Sequence, residues 1–257
     1  MKKFLAVICF SFLSISFANA GILTLGVSGN AGLLDVTGKE TISGSTNAGV
    51  DWGATAAGTR AATDTAATSQ KQSDEVAIGY VSLFGELGLF DTGLRIGLSY
   101  VPYALESETT ENVRNDNCSQ VEGHLNEPVA TQTCSSTTNK VSVDLEDLMH
   151  MYVSYHHDLD LPFVSSVFVK AGIIEADVIT RDNLSSGSAY GNTDLAGDFY
   201  GIGFEKNLDT GMFVRLEGAI TEFDTIKLTN TNSDNTNTID ITGMDGATAT
   251  ISIGKTF

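Results

Sequence analysis

The sequence is poor in basic residues, in cysteine and in long apolar runs, and each shortage excludes a class of protein. Its 14 Lys and Arg stand against 32 Asp and Glu, a formal net charge of −18, which argues against nucleic acid as a partner. Outside the first twenty residues, no apolar run approaches the roughly 20 residues that a membrane-spanning helix needs. Of three cysteines, one lies in those first twenty residues, and the other two are too few ligands for a metal site. We therefore expect no nucleic-acid partner, no metal and no cofactor.

The first twenty residues have the organisation of a secretory signal peptide. Lys2 and Lys3 form a short basic region, residues 4–17 are mostly apolar, and residues 18–20 read Ala-Asn-Ala, an A-x-A cleavage motif. Cleavage after Ala20 would leave residues 21–257. Loss of the two lysines would change the formal charge from −18 to −20. The chain is therefore predicted to be exported.

Cys118 and Cys134 bracket a polar segment of this exported chain. A disulfide is the default for such a pair, and closing a loop of this size stabilises a fold by roughly 3 kcal/mol in the chain-entropy model. We predict a structural disulfide between Cys118 and Cys134.

The last eleven residues alternate apolar and polar side chains, as a β-strand with one apolar face does. Ala or Ile occupies the odd positions from 247 to 253, and Thr, Ser or Gly occupies the even ones. The ending on Phe257 resembles the C-terminal strand of bacterial outer-membrane β-barrels, although Lys255 stands where a second apolar residue is usual. The resemblance implies that Ile251, Ile253 and Phe257 present this strand to the barrel-assembly machinery.

Alternating segments of this kind recur eight times along the chain. They cover 22–33, 75–89, 94–104, 141–156, 163–176, 196–208, 212–226 and 244–257. Their connections alternate between long and short, the long ones being 34–74, 105–140, 177–195 and 227–243. Bacterial barrels show this asymmetry, with short periplasmic turns, long external loops and both termini in the periplasm. The pattern predicts an all-β fold, a transmembrane antiparallel up-and-down barrel of eight strands, or of ten if 34–74 or 105–140 holds a further hairpin.

One face of the predicted strands is apolar and the other collects charges. In the hairpin around residues 209–211, Phe204 faces Leu216 on one side of the sheet. On the other side, Glu205 faces Arg215 in the same register. The charged or titratable residues predicted to point inward are Glu86, Arg95, Asp144, Glu146, His150, Lys170, Glu205, Arg215 and Glu217. Charges of nearly balanced sign suit the narrow interior of an eight-stranded barrel, and they predict a network that fills the bore or constricts a small pore.

Over its whole exported length the chain resembles the small outer-membrane barrels grouped around OmpA, OmpX and OmpW. The resemblance rests on architecture and not on a family motif. It implies a monomer in the outer membrane of a Gram-negative bacterium, in contact with lipid and lipopolysaccharide. The termini would face the periplasm and the long loops the outside.

Three functions follow from this reading. The first is a non-enzymatic barrel that stabilises the envelope or presents its loops for recognition. The second is a narrow porin-like channel for small solutes or hydrophobic molecules, as the OmpW resemblance implies. The third is a lipid-modifying enzyme, but Glu146 and Ser154 lie each about 13 Å along the strand from His150, too far for a triad within that strand. We therefore predict that the chain is not an enzyme.

Overall fold

The computed structural model of the chain describes residues 23–45, 64–89, 92–107, 110–119, 133–159, 161–183, 189–231 and 235–257. Its strands are β1 (Leu23–Ser45), β2 (Asp64–Gly88), β3 (Leu94–Tyr100), β4 (Leu105–Glu106), β5 (Thr110–Ser119), β6 (Thr133–Asp158), β7 (Ser166–Asn183), β8 (Thr193–Asn207), β9 (Met212–Phe223), β10 (Ile226–Thr231) and β11 (Asn235–Thr256). None of the described residues belongs to a helix long and apolar enough to cross a membrane. The predicted signal peptide lies outside the described residues.

The strands form a single antiparallel sheet that closes on itself. The order around the ring is β1, β2, β3, β6, β7, β8, β9 and β11, and β11 pairs back onto β1. β4 and β5 pair with β6 on the side where β3 pairs with it, and β10 pairs with β11 on the side of β9. They therefore extend β3 and β9 and add no new position to the ring. The prediction of an eight-stranded up-and-down barrel is confirmed.

The short hairpin between β8 and β9 has the register that its sequence predicts. Phe204 pairs with Leu216, and Glu205 pairs with Arg215. The turn itself differs slightly from a simple type I turn, because Thr210 and Gly211 both have positive φ angles, 74° and 77°. Leu208 N donates to Met212 O at 2.7 Å and closes the hairpin.

The strands are longer than the alternating segments. β1 and β2 stay paired from Leu23 opposite Leu87 up to Ser45 opposite Asp64, and β6 begins at Thr133. Much of the predicted loops 34–74, 105–140 and 227–243 is therefore strand. These segments are rich in Thr, which favours strands, but beyond the membrane both faces can meet water, so their apolar and polar residues need not alternate.

In the part of the barrel near the chain termini, the outer face is apolar and the interior is polar. On the outer face, Ile220 is 63 % exposed and Ile202 is 61 % exposed, whereas Glu86 and Arg215 inside are 1 % and 2 % exposed. A water-soluble protein buries its large apolar side chains and leaves its charges outside. The opposite arrangement is that of a transmembrane barrel.

A row of carboxylates lies on the outer face where the apolar band ends. In this row each residue is directly opposite the next one on the neighbouring strand, from β2 through β1, β11 and β9 to β8: Glu75, Asp35, Asp245, Glu222 and Asp198. All five are exposed. Like charges directly opposite each other destabilise a sheet, and charges avoid the hydrocarbon of a membrane. We take this row as the boundary of the membrane-facing wall at the end of the barrel away from the chain termini.

Candidate functional site in the lumen

Arg215 lies at the centre of the lumen and joins opposite parts of the wall. It projects from β9, and its Nη1 and Nη2 donate to the two carboxylate oxygens of Glu86 on β2, at 2.7 and 3.0 Å. Its Nη2 and Nε donate to Glu205 Oε2 on β8, at 2.8 and 3.2 Å. Two buried carboxylates therefore hold one guanidinium by charge-assisted hydrogen bonds, which are stronger than neutral ones.

Arg95 and Tyr152 complete the bonds to these carboxylates. Arg95 Nη1 is 3.3 Å from Glu86 Oε2 and 3.5 Å from Glu205 Oε2. Arg95 is diagonal to Glu86, since β3 pairs it with Gly88. The Tyr152 hydroxyl donates to Glu86 Oε1 at 2.9 Å. The sequence indicated the contacts within each hairpin, but not the bridge that Arg215 makes to Glu86.

Three phenylalanine rings surround the guanidinium of Arg215. Its Cζ is 5.5 Å from the ring centre of Phe84, 5.0 Å from that of Phe168 and 4.9 Å from that of Phe213. Arg tolerates such surroundings because its planar, delocalised charge is weakly hydrated and interacts with aromatic faces. The rings exclude water and hold the guanidinium in place.

A second ion pair lies beside the first. Lys170 Nζ on β7 donates to Glu217 Oε2 on β9 at 2.5 Å, and it lies 4.3 Å from the ring centre of Tyr152. We call the six charged side chains of this region the charge layer: Glu86, Arg95, Lys170, Glu205, Arg215 and Glu217. Three are positive and three are negative, so the layer is neutral overall and fills the bore.

Two of the residues predicted for this network lie elsewhere, because β6 contains a bulge. Glu146 pairs with Asp177 but Met149 pairs with Glu175, so residues 147 and 148 together oppose a single residue of β7. Asp147 has a φ of 53°. Beyond the bulge Leu145 packs against the apolar interior, and its neighbours Asp144 and Glu146 therefore point to the outer face.

On that outer face Asp144 forms an ion pair with Arg181, which was not among the predicted residues. Arg181 Nε donates to Asp144, and Arg181 Nη2 lies 3.9 Å from Glu146 Oε1. The hydrogen bond to Asp144 raises the pKa of Arg181 above its usual value, and the negative charge of that carboxylate adds to the effect. Because the two carboxylates sit on a different face from His150, they take no part in the lumen; Asp144 is nevertheless covered on the outer face, at 3 % exposure.

His150 does point into the lumen, above the charge layer. Its ring lies 5.2 Å from that of Phe199, and among the described residues its Nε2 has no hydrogen-bond partner. It borders a small cavity of about 40 Å³ whose wall is otherwise mostly hydroxyl, amide and charged side chains. The described part of the chain brings no three His, Cys, Asp or Glu side chains close enough together to hold a metal ion.

A different histidine lies beside Ser154. Ser154 Oγ is 3.2 Å from His156 Nε2, and His156 Nδ1 is 3.9 Å from Glu205 Oε2. The residue types are those of a hydrolase triad. The second distance is too long for a hydrogen bond, Glu205 is already held by Arg215, and Ser154 is 1 % exposed. This arrangement gives the serine no activated base and no access for a substrate. Ser154 and His156 are two residues apart on one strand and so point to the same face, which is the sequence feature that indicates their contact.

The half of the lumen that lies beyond the charge layer, away from the chain termini, is apolar, which the sequence did not predict. Its buried members form one cluster that draws on both sides of the barrel, and we call it the apolar layer: Tyr80, Val101, Leu148, Ile174, Ala176, Val178, Leu195, Ile226, Leu228 and Met244. Further apolar side chains pack against it, among them Leu34, Ile78 and Leu105. Leu34 comes from β1, at the start of the predicted loop 34–74, and Ile78 comes from β2, within the predicted strand 75–89.

The wall beside the apolar layer is split between β2 and β3. The two strands pair from Gly88 opposite Arg95 up to Leu83 opposite Tyr100, and above this point the described part of β2 pairs with β1 alone. Residue 102 is a proline, which has no N–H to continue the ladder. Among the described residues above the last pair, a hydrogen bond from Val81 N to the Tyr103 hydroxyl, at 2.6 Å, joins the two edges. We call this region the wall split.

Two further predicted features concern the cysteines and the C-terminus. The register places Cys118 of β5 directly opposite Cys134 of β6, but their side chains lie outside the described part of the structure, and the disulfide stays a prediction. Ile251 and Ile253 are 58 % and 55 % exposed on the outer face. Phe257 N donates to the carbonyl oxygen of the first residue of β1 at 2.8 Å, which joins the chain's end to its first strand.

Comparison with known proteins gives remote likenesses. No family model and no curated protein matches the sequence. The structure of the outer membrane protein OprG from Pseudomonas aeruginosa aligns with a TM-score of 0.47 at 12% identity, covering 93% of this chain and 97% of that one. Ail, the attachment invasion locus protein of Yersinia pestis, aligns with a TM-score of 0.28 at 8% identity, covering 86% of this chain and 98% of that one. The outer membrane protease OmpT from Escherichia coli aligns with a TM-score of 0.26 at 11% identity, covering 90% of this chain and 97% of that one. The fold assignment therefore rests on the closed ring of strands in this chain itself.

Proposed function

We propose that this chain is a non-enzymatic protein of the bacterial outer membrane that admits small apolar molecules from outside and releases them sideways into the membrane. The observation that carries the proposal is an apolar external half of the lumen that reaches the wall where the sheet is split. In this orientation the outer face meets membrane lipid and lipopolysaccharide, the termini face the periplasm and the long strands project outside.

The charge layer closes the straight route to the periplasm. A molecule on that route would have to displace Arg215, which is bound to Glu86 and Glu205 at once. Removing one partner from a buried ion pair costs about 3–5 kcal/mol. An apolar molecule would not repay this cost, because it offers the separated charges no hydrogen bond. The charge layer therefore acts as the floor of the route.

The apolar layer leads to the wall split. Tyr80 of β2 and Val101, just after β3, both belong to the layer and are 8 % and 1 % exposed. They lie on either side of the position where β2 and β3 separate. An apolar guest between them exchanges one apolar contact for another. When the edges part, the described part of the sheet loses the hydrogen bond from Val81 to Tyr103. Such a bond contributes only about 0.5–1.5 kcal/mol net.

A Tyr103→Phe substitution tests this route. It removes the hydroxyl that accepts the bond from Val81 and keeps the ring. We expect faster transfer of the apolar fluorescent probe 1-N-phenylnaphthylamine from water into vesicles that contain the protein. Tyr200→Phe is the matched control, since Tyr200 is also exposed on the outer face and lies away from the wall split. Its transfer rate should equal that of the wild type.

Closing the split should have the opposite effect. A Val81→Cys, Tyr103→Cys double variant, with both native cysteines replaced by serine, can be joined by a short bifunctional thiol reagent. We expect the joined protein to transfer the probe no faster than protein-free vesicles. Leu83→Cys with Tyr100→Cys is the control, because those residues are already paired. Equal rates for the open and joined forms of the first variant would rule out the sideways route.

A sealed barrel that only presents its external strands is the second candidate. The observation in its favour is the size of the lumen cavity, about 40 Å³, room for about three waters. Single-channel recordings in a planar bilayer, with the wild type, Arg95→Ala and Arg215→Ala, separate the possibilities. Discrete steps that grow in the variants would indicate a narrow pore for ions and polar solutes. Silence in all three, together with no probe transfer, would leave the sealed barrel.

A further inference from the structure

We propose that Lys39 and Lys71 form a binding site for a phosphate group of the lipopolysaccharide that surrounds the barrel. The inference rests on the proposed location in the outer membrane, and it is independent of any transport. It assigns a ligand to a pair of like charges that the fold places side by side outside the membrane-facing wall.

The two lysines occupy the closest kind of position on neighbouring strands. Lys39 of β1 is directly opposite Lys71 of β2, and both are exposed. Val81 directs its N–H away from β1. Backbone N–H groups alternate in direction along a strand, and Lys71 is ten residues from Val81, so its N–H also points away from β1. The two lysines are therefore a non-hydrogen-bonded pair, in which the Cα atoms lie only about 4.5 Å apart. Their side chains leave the same face of the sheet together.

The pair lacks counter-charges within the described residues. No carboxylate there lies within ion-pair distance of either ammonium group, although Asp240 is opposite Lys39 on β11. Asp240 instead lies 3.7 Å from Lys227 of β10. Like charges directly opposite each other cost stability, and an anion held between the two ammonium groups would reverse that cost. A phosphate is the anion that lysine commonly binds as a point charge.

The height of the pair fits a phosphate of the membrane surface. Lys39 is four residues beyond Asp35, which is about 13 Å along the strand from the carboxylate row. The row would repel a phosphate placed at its own level, so the lysines set the height at which one is held. At their own level Asp240 and Lys227 offset each other, so the two lysines leave that level with a net positive charge beyond a row of carboxylates. Such a layered pattern matches a layered surface of charged headgroups better than it matches a soluble protein partner.

The test measures binding of fluorescent lipopolysaccharide to the refolded protein in detergent. A lysine near an anionic surface contributes a factor of about five in affinity, so Lys39→Gln should weaken binding about fivefold. The variant with both Lys39→Gln and Lys71→Gln should weaken it further, and the variant with both lysines changed to Arg should bind as the wild type does. Lys206→Gln is the control, because Lys206 lies at a periplasmic turn and donates to the Pro162 carbonyl. The control should bind as the wild type does.

A second arm identifies the chemical group and its source. Lipopolysaccharide stripped of its phosphates should bind the wild type and the double variant equally weakly. Competition by inorganic phosphate at millimolar concentration would show that the site takes a free anion and would overturn the commitment to the glycolipid. An equal loss for Lys206→Gln, or no loss for the double variant, would overturn the site itself. Unheated gel mobility reports whether each variant is folded, and membrane fractionation of the cells tests the proposed location separately.

Discussion

Replacing Arg215 by methionine is the sharpest test of the charge layer. Methionine keeps much of the length of the side chain and its contacts with the three phenylalanine rings, but it removes the charge. Arg215→Met leaves Glu86 and Glu205 buried without the four hydrogen bonds that now hold them. Both carboxylates are at most 3 % exposed, so water does not replace the lost partner.

The size of the effect follows from this burial. Removing one partner of a buried ion pair costs about 3–5 kcal/mol. Arg95 remains 3.3 Å from Glu86 and 3.5 Å from Glu205, and its positive charge compensates part of the loss. We therefore expect the free energy of unfolding to fall by about 3 kcal/mol, the lower end of that range.

A second substitution separates charge from packing. Adding Glu86→Gln to Arg215→Met restores a neutral layer, and Gln still offers Tyr152 an acceptor. Exchanging both members of a buried pair for uncharged groups is often neutral, so the double variant should recover most of the lost stability. Lys206→Met is the control: Lys206 is a half-buried lysine of β8 outside the charge layer, and the variant should lose no more than the roughly 1 kcal/mol of its one hydrogen bond, to the Pro162 carbonyl.

The assay is urea unfolding of the protein from lipid vesicles, followed by the loss of the faster gel mobility of the unheated barrel. A loss below about 1 kcal/mol for Arg215→Met would contradict the geometry of the layer, since even a single unsatisfied buried group costs about that much. A double variant as unstable as the single one would show that packing, and not charge, explains the loss.

Three further results are expected. Gly97→Ala should destabilise the barrel by about 1–3 kcal/mol, because a Cβ there would lie 2.2 Å from the ring of Tyr152, whereas Gly218→Ala, with no atom within 4 Å of its Cβ, should leave the urea midpoint unchanged. Thiol labelling of the unreduced, denatured protein should detect no free cysteine, since Cys118 and Cys134 are directly opposite each other; two labelled thiols would disprove the disulfide. Removal of the terminal phenylalanine should lower the yield of heat-modifiable barrel in the outer membrane, and an unchanged yield would separate assembly from this residue.

The parts of the fold that the sequence predicts are those that one hairpin determines. A three-residue turn fixes the pairing of Glu205 with Arg215, and alternation then assigns each residue a face. The same reasoning places Glu86 inside, where it is 1 % exposed. Local pattern and short turns therefore suffice for the strand order, the closure into a ring and the inward direction of the six residues of the charge layer.

The remaining contacts depend on closure and on an irregular strand. Arg215 and Glu86 are 129 residues apart and meet because the ring brings β9 across the bore from β2. The bulge at Asp147 exchanges the inward and outward faces of the first half of β6. A break in alternation shows where a bulge can lie, but not which residues before it point inward. Asp144 therefore lies in the predicted strand, but it points to the outer face and not into the lumen.

The change from a charged to an apolar interior occurs at the height where the wall splits, and one physical reason connects the two. Between Gly88 and Leu83, β2 is hydrogen-bonded on both sides, so the lumen is sealed from lipid and can keep six charges in a neutral layer. Above Leu83 the described part of β2 is joined to the segment that follows β3 through the Tyr103 hydroxyl, and an opening there would bring the interior into contact with hydrocarbon. Charges facing such an opening would be costly, whereas Tyr80 and Val101 would not. The sequence of lumen layers, ionic below and apolar above, is therefore what a barrel that opens sideways requires.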